Sequence, residues 1–526
     1  MAELIPRRVL FGNPERISPR ISPNGTSLAW IAPHDGVLNV WTAPVGANGV
    51  DWDSAKVVTN DTDRGIRVFG WAHDGRHLLY LQDTGGDENW RLYDVDLPTM
   101  QRRDLTPFEG VQAQIIATEK KHPSEVLVGL NRDNPALHDV YRLDLGTGDL
   151  TKLVENPGFA GWVADSELVT RVGVGLEPDG SMVVMVRDDA DGDWRLLQTF
   201  PAEDAMTSGP MAISADGNSM LGLSSAGVDT GRLVRVDLAS GAEEVIAEDP
   251  EADVAGVRVH PDTREPQIVT WVKERMEYRV LDPALEADVA AIRALHPGDP
   301  DIVAQDHSDM VWLVAFTNDA GPVPFYLYDR RGREGRFLFE HQPELSQYEL
   351  APMEPFSYQT RDGLTIHGYA TFPPGAGRTG LPMVLNVHGG PWARDSWGFD
   401  SEAQWLANRG YLCVQVNFRG STGYGKAFVN AGDREWGRAM QNDLTDAVQY
   451  AIAQGANDPR VKQAESEQIV AAMRDAGIDY EYMLFPDEGH GFAKPENRLK
   501  FYAAAERFLA RHLGGRAEGD AEDSPA

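Results

Sequence analysis

Apolar and polar positions follow two different rhythms along this chain, separated by residues 341–355. From about residue 20 to 340 a small or polar residue, often proline, precedes an Asx-Gly pair and then a short run of β-type residues. Ser22-Pro23-Asn24-Gly25 leads into Leu28-Ala29-Trp30, and Ala72-His73-Asp74-Gly75 into Leu78-Leu79-Tyr80. Glu177-Pro178-Asp179-Gly180 and Ser214-Ala215-Asp216-Gly217 repeat the pattern. His122-Pro123-Ser124-Glu125 and His260-Pro261-Asp262-Thr263 are weaker copies, and Asp306-His307-Ser308-Asp309 is a degenerate seventh. Each is followed after a loop by a further strand, such as Trp90-Arg91-Leu92-Tyr93 or Phe325-Tyr326-Leu327-Tyr328. Copies start roughly 37 to 55 residues apart, a spacing typical of propeller blades. An Asx-Gly turn tolerates positive φ and so joins antiparallel strands. The pattern predicts a seven-bladed β-propeller over residues 1–340, an architecture in which radial repetition protects the sheet edges. A generic β-rich domain or sandwich is the alternative.

Residues 341–355, rich in glutamate and proline and without periodicity, read as a linker. The second rhythm, over 356–513, alternates strands with helices. A hairpin is expected from Phe356 to Phe372 around Asp362-Gly363, then a buried strand Met383–Val387, a helix Ser401–Asn408 stopped by Gly410, and a strand Tyr411–Phe418. Leu444, Ala447, Val448, Ala451 and Ile452 form one apolar stripe on a helix from Asn442 to Gln454, ended by Gly455. A helix Gln463–Ala476 and an apolar strand Tyr480–Phe485 follow. Strands and helices in alternation imply an α/β domain with a largely parallel sheet. The fold class is therefore a multidomain β plus α/β chain, with residues 514–526 as a small, acidic, disordered tail.

Composition narrows the function more than the fold. The formal net charge of −33 over 526 residues repels phosphate backbones and anionic lipid, which excludes nucleic-acid and membrane-surface binding. The single cysteine, Cys413, rules out an internal disulfide framework; in an apolar strand it reads as a small buried hydrophobe. No metal or cofactor is called for. Residues 1–8 lack the apolar core of a signal peptide and no 18-residue apolar run occurs, so a cytoplasmic location is expected. Acidic loops at 83–89 and 187–193 could hold a substrate ammonium, but solvated loop tips explain them as well.

The chemistry sits in the second half. His388-Gly389-Gly390 directly after a buried strand is the kind of turn whose N–H groups form an oxyanion hole, glycine allowing the main chain to approach the developing charge. Asp458 lies in the loop Ala456–Arg460 and His490 in the glycine-flanked loop Asp487–Phe492. An Asp loop, a helix, a strand and a His loop in that order match the last two members of a Ser, Asp, His triad. Asp458 would hold the His490 imidazole in the working tautomer and stabilise its charge.

These stretches, together with Gly85–Trp90, Asn417–Gly425, Trp436-Gly437 through Asp443-Leu444 and Ala456–Val461, resemble the prolyl oligopeptidase family of serine peptidases, especially its acylaminoacyl-peptidase-like and dipeptidyl-peptidase-like members. The resemblance covers nearly the whole chain. It implies an N-terminal propeller restricting access to a C-terminal α/β-hydrolase domain that cleaves short peptides. Asp458 then matches the orienting acid, His490 the general base and Gly390 an oxyanion donor.

One element is missing. No serine in the chain stands in G-x-S-x-G. By the resemblance, a block on the order of 70 to 100 residues carrying the nucleophile elbow belongs between the helix ending at Gln454 and the Asp458 loop. Here the helix end is fused to that loop. A deletion between two Gln-Gly copies would leave the single Gln454-Gly455, and a gene-assembly error would look the same. Ser421 follows a strand in a glycine-rich loop and Ser396 precedes Trp397-Gly398, yet neither lies on a strand-to-helix elbow. The chain is expected to be a serine-type peptidase by descent that cannot cleave, with a non-catalytic propeller scaffold for peptides or a protein partner as the alternative. The open slot is also expected to leave the Tyr480–Phe485 strand beside Met383–Val387 or on an exposed edge.

Overall fold

The computed structural model describes residues 2–451, 483–485, 487–488 and 491–519. Seven antiparallel sheets follow one another between Ile17 and Glu340, each a meander in chain order. The first spans Ile17–Val57, the second Val68–Asp104, the third Ala113–Val154, the fourth Gly161–Phe200, the fifth Gly209–Ala247, the sixth Val254–Val280 and the seventh Asp299–Glu340. The sixth has three strands, and the helix Glu286–Arg293 stands after its third.

Alternation along the strands explains why these sheets are apolar on both faces. In Ser27–His34, Leu28 and Trp30 point one way and pack with Leu313, Phe325 and Leu327 of the seventh sheet. Ala29 and Ile31 point the other way and pack with Leu78, Tyr80 and Val95 of the second. Comparable clusters join the second sheet to the third, and so on to the sixth and seventh. Each sheet thus packs on the next and the last packs on the first.

The expected turns form through their Asx side chains. Asn24 Oδ1 accepts from Thr26 N, Asp74 Oδ1 from Arg76 N and Asp216 Oδ1 from Asn218 N. Gly25 holds φ +74°, which an L side chain adopts only with strain. The fourth sheet departs from expectation. Glu177–Gly180 joins its second and third strands, whereas the turn between the first and second is Asp165–Val169. That turn has no glycine: Leu168 takes φ +57°, and Asp165 Oδ1 accepts from Glu167 N and Val169 N. The Asx-Gly signal therefore locked onto the wrong strand pair in this sheet.

The second half holds a four-stranded sheet in the order Met353–Gln359, Thr365–Thr371, Leu412–Asn417, Met383–Asn386, and only the last pair is parallel. The helix Ser401–Arg409 makes the crossover, capped by Asp400 at its start and by Gly410 at φ +103° at its end. Among the described residues nothing pairs with the outer side of Met383–Asn386. The first strand starts at Met353, inside the expected linker. The helix expected from Asn442 begins earlier, as Ala439–Ala451. Met483–Phe485, expected to end a strand, carry no strand pairing; the helix expected at 463–476 lies outside the described residues. The C-terminal helix is Pro495–Leu513.

Two terminal segments belong to this second half, against the expected boundaries. Ile5, Val9, Leu10 and Phe11 pack with Tyr369, Trp405, Leu406, Tyr411 and Leu499. Residues 514–519, expected to start a disordered tail, are placed by specific contacts. Arg516 donates to the Arg409-side carbonyl of Asn408, and Glu518 pairs with Arg409 at 3.1 Å. Arg7 and Arg409 both pair with Glu506, and all three side chains are almost fully buried. Two arginines so deep must find carboxylates, and the tail supplies the second one. Among the described residues no helix is long and apolar enough to cross a membrane.

Candidate active site

The turn at the C-terminal end of Met383–Asn386 is built around Gly390. Its φ is +129°, and a Cβ there would lie 2.7 Å from the Trp392 backbone nitrogen, so only glycine fits. Among the described residues the Gly390 N–H makes no hydrogen bond, which leaves it available to an incoming oxygen. Pro391, joined to Gly390 by a cis peptide, has no N–H to offer.

His388 is fixed rather than poised. Its ring stacks on Phe418 with centroids 4.6 Å apart, Nδ1 lies 2.9 Å from the Gly389 carbonyl and Nε2 lies 3.0 Å from Ser421 Oγ. Burial lowers its pKa below the ordinary histidine value, so the ring is neutral at neutral pH. Ser421 is fully buried, and its hydroxyl also lies 2.6 Å from the Phe418 carbonyl. A serine without solvent access and shared between a carbonyl and an imidazole ties two loops together; it cannot meet a substrate. Ser396 is exposed on its loop.

The Arg419–Gly425 loop is held from three sides. Arg419 makes a two-point pair with Asp443 on the Ala439–Ala451 helix, with contacts of 2.8 and 2.7 Å, and reaches Asp362 in the hairpin turn at 2.9 Å. Those hydrogen bonds push the Arg419 pKa upward, while burial opposes them. Gly420 packs against Pro391, which couples the loop to the Gly390 turn. Arg394 lies over the Tyr424 ring at 4.3 Å and donates to the Tyr424 hydroxyl and to the Val272 carbonyl of the sixth sheet. Beside it Asp395 is largely buried among carboxylates. Burial first and Asp400 second push its carboxyl up to about 7, and its Oδ2 has no partner among the described residues. Cys413 is buried, as expected, and burial holds it as a thiol.

Loops between the strands of the first half also clamp this site. Lys426 and Ala427 donate their backbone N–H groups to Asp229, Gly425 donates to Asp253 and Lys426 Nζ pairs with Asp204 at 2.6 Å. Arg64 lies 3.7 Å from Glu488, Lys494 pairs with Asp63 at 2.8 Å, and Arg67 donates to the Ala493 carbonyl at 2.6 Å. The chain on both sides of His490 is thus anchored to residues 63–67. Asp458 and His490 themselves lie outside the described residues. Of the two acidic loops, Asp83 is buried against Arg64 at 3.1 Å, a structural pairing, and Asp188 meets Arg195 at 3.4 Å.

Sequence reasoning missed Trp436 as a partner for Trp392. The two rings are 6.1 Å apart, both half or more exposed, next to the Gly390 turn. A Trp following a glycine turn was visible; its pairing with a residue 44 positions later was not.

The profile described as the prolyl oligopeptidase family matches residues 397–456 and, in a second piece, 452–516. A dipeptidyl aminopeptidase BIII of Pseudoxanthomonas mexicana is 38% identical over 626 aligned positions, covering 99% of this chain and 90% of that protein. A dipeptidyl peptidase family member 6 of Caenorhabditis elegans is 28% identical over 652 positions, covering 98% and 87%. Among solved structures, a puromycin-hydrolyzing peptidase of Mycobacterium tuberculosis superposes with a TM-score of 0.69 at 16% identity, over 97% of this chain and 96% of the other.

Proposed function

This chain belongs to the prolyl oligopeptidase family of serine peptidases, and on that premise we propose that it binds short peptides between a seven-bladed β-propeller and an α/β-hydrolase domain that has lost its nucleophile, without cleaving them. The observation that carries the reading is the split family match, whose two pieces share residues 452–456. That is where Gln454-Gly455 runs into Asn457-Asp458 with no G-x-S-x-G anywhere in the chain. An alignment of 626 positions against 526 residues supports the same loss.

What remains can recognise but not attack. The Gly390 N–H, which no described residue engages, can take a substrate carbonyl, and Trp392 with Trp436 offers an exposed aromatic face beside it. Asp458 and His490 are the remaining acid and base of this reading, and His490 has no activated hydroxyl to deprotonate. Loss of the triad serine alone lowers kcat by about a millionfold. Titration calorimetry with di- and tripeptides bearing a free N-terminus, with chromatography of the same mixtures, tests this. Micromolar binding with intact peptides is expected; absence of binding removes the scaffold role, and product removes the loss of catalysis.

A second reading is favoured by the outer side of Met383–Asn386, which no described residue pairs: a truncated product with no role of its own, prone to self-association through that edge. Resequencing the locus around codons 450 to 460 and sedimentation of the purified chain separate the two.

A further inference from the structure

The hairpins joining the first and second strands of several sheets touch each other although their sheets are not neighbours. His73 Nδ1 of the second sheet lies 2.7 Å from His307 Nε2 of the seventh, with the rings stacked 5.0 Å apart. Lys120 of the third sheet donates to Asp262 of the sixth at 2.7 Å and to the His307 carbonyl at 3.1 Å. Glu119 of the third pairs with Arg264 of the sixth, which also donates to the Ile213 carbonyl of the fifth at 2.9 Å. Each sheet packs face to face on the next, so contacts between second and seventh, or third and sixth, have to cross the middle of the ring. The contacts just named all lie at one end. In the sixth sheet the turn carrying Lys273 and Glu274 accepts hydrogen bonds from Tyr369 and Arg394 of the second half. The turn His260–Glu265 lies at the opposite end of the strand Pro266–Val272.

The histidine pair constrains its protons. The 2.7 Å approach of His73 Nδ1 to His307 Nε2 requires one of these two nitrogens to donate and the other to accept. Adding one proton to the pair still leaves a donor and an acceptor, whereas charging both rings removes the acceptor and sets two cations against each other. Lys120 faces both rings, Asp74 lies beside His73, and Asp306 and Asp262 lie beside His307. Burial first, then the neighbouring positive charges, lower both pKa values, His73 to about 4. Both rings are neutral in the fold at pH 7, and the unfolded chain binds protons first as pH falls, so the arrangement weakens with acid.

We propose that these hairpins form a proton-sensitive closure across the axis of the ring, shutting the mouth remote from the mixed sheet at neutral pH and releasing it on acidification. The inference rests on the ring reading above, and hydrogen exchange separates the two. Protection factors of the Ala72, Gly75, Asp306 and Asp309 amides, each hydrogen-bonded in these hairpins, are measured at pH 7.5 and 5.0 with the strand Leu233–Val236 as internal reference. Protection in the hairpins is expected to fall by about tenfold or more on acidification while the reference stays constant. In His73→Leu/His307→Leu the fall is expected to vanish. In Lys120→Met, with both histidines intact, release is expected to move to higher pH. Low protection at both pH values overturns the ring itself. Equal high protection at both overturns the closure alone, as does an undiminished fall in the double variant or an unmoved release in Lys120→Met.

Discussion

The two halves of this chain bury their strands in different ways, and the difference decides what each can survive losing. The seven sheets share their cores serially: every sheet meets two neighbours, and the last meets the first through Leu28, Trp30, Leu313 and Phe325. Among the described residues, each strand there pairs only with strands of its own sheet. The mixed sheet has instead an order in which Met383–Asn386 stands at an edge, with its helical cover drawn from distant segments: residues 5–11, 401–409 and 495–513. A block cut from the middle of such a domain removes neighbours of what remains, whereas the ring is untouched. The ring is the robust half, and the mixed sheet is held by its ends.

The strongest way to break that contrast is to attack the ends. Arg409→Ala leaves Glu506 and Glu518 buried without one of their partners and is expected to cost about 3–5 kcal/mol. Urea unfolding with limited proteolysis should then show the second half cut while residues 17–340 persist; loss of both halves together contradicts the independence of the ring. Trp30→Ala is expected to cost about 3–5 kcal/mol in the ring by opening the first-to-seventh interface, with the second half melting as before. Truncation after Leu513 removes Arg516 and Glu518 and should destabilise the second half by about 1–3 kcal/mol, measured as a lower Tm of its transition alone.

A finer probe uses pH. The folded chain holds the Asp395 proton up to about 7, whereas an unfolded carboxyl loses it near the usual carboxylate value. Ionisation therefore favours unfolding increasingly as pH rises between those values, and the penalty is complete above the upper one. Asp395→Asn is expected to raise Tm by a few degrees, about 1–2 kcal/mol, at pH 8 and to change it little at pH 4. An equal gain at both pH values would mean that charge is not the cause. The smallest effect is Gly25→Ala, about 1 kcal/mol from the positive φ and the approach of Asp306, confined to the ring.

Much of this was legible because repeated turns and apolar runs report local geometry. Asn24-Gly25, Asp74-Gly75 and Asp216-Gly217 mark real hairpins, and Asp400 with Gly410 brackets a real helix. The fourth sheet misled because Leu168 supplies the positive φ that glycine was expected to mark. The terminal segments were illegible for another reason. Arg7, Arg409, Glu506 and Glu518 look like ordinary surface charges until the fold gathers them into one buried cluster. Near the candidate site, the tight glycine turn at Gly390 was readable from its neighbours, while the engagement of Ser421 with His388 joins residues on different loops. No local pattern encodes that.

The central claim is that nothing in this chain can be acylated, and mass spectrometry of the intact chain after incubation with a fluorophosphonate tests it most directly. The account predicts an unchanged mass at every pH from 6 to 9. A stoichiometric adduct, mapped to any serine, would contradict it.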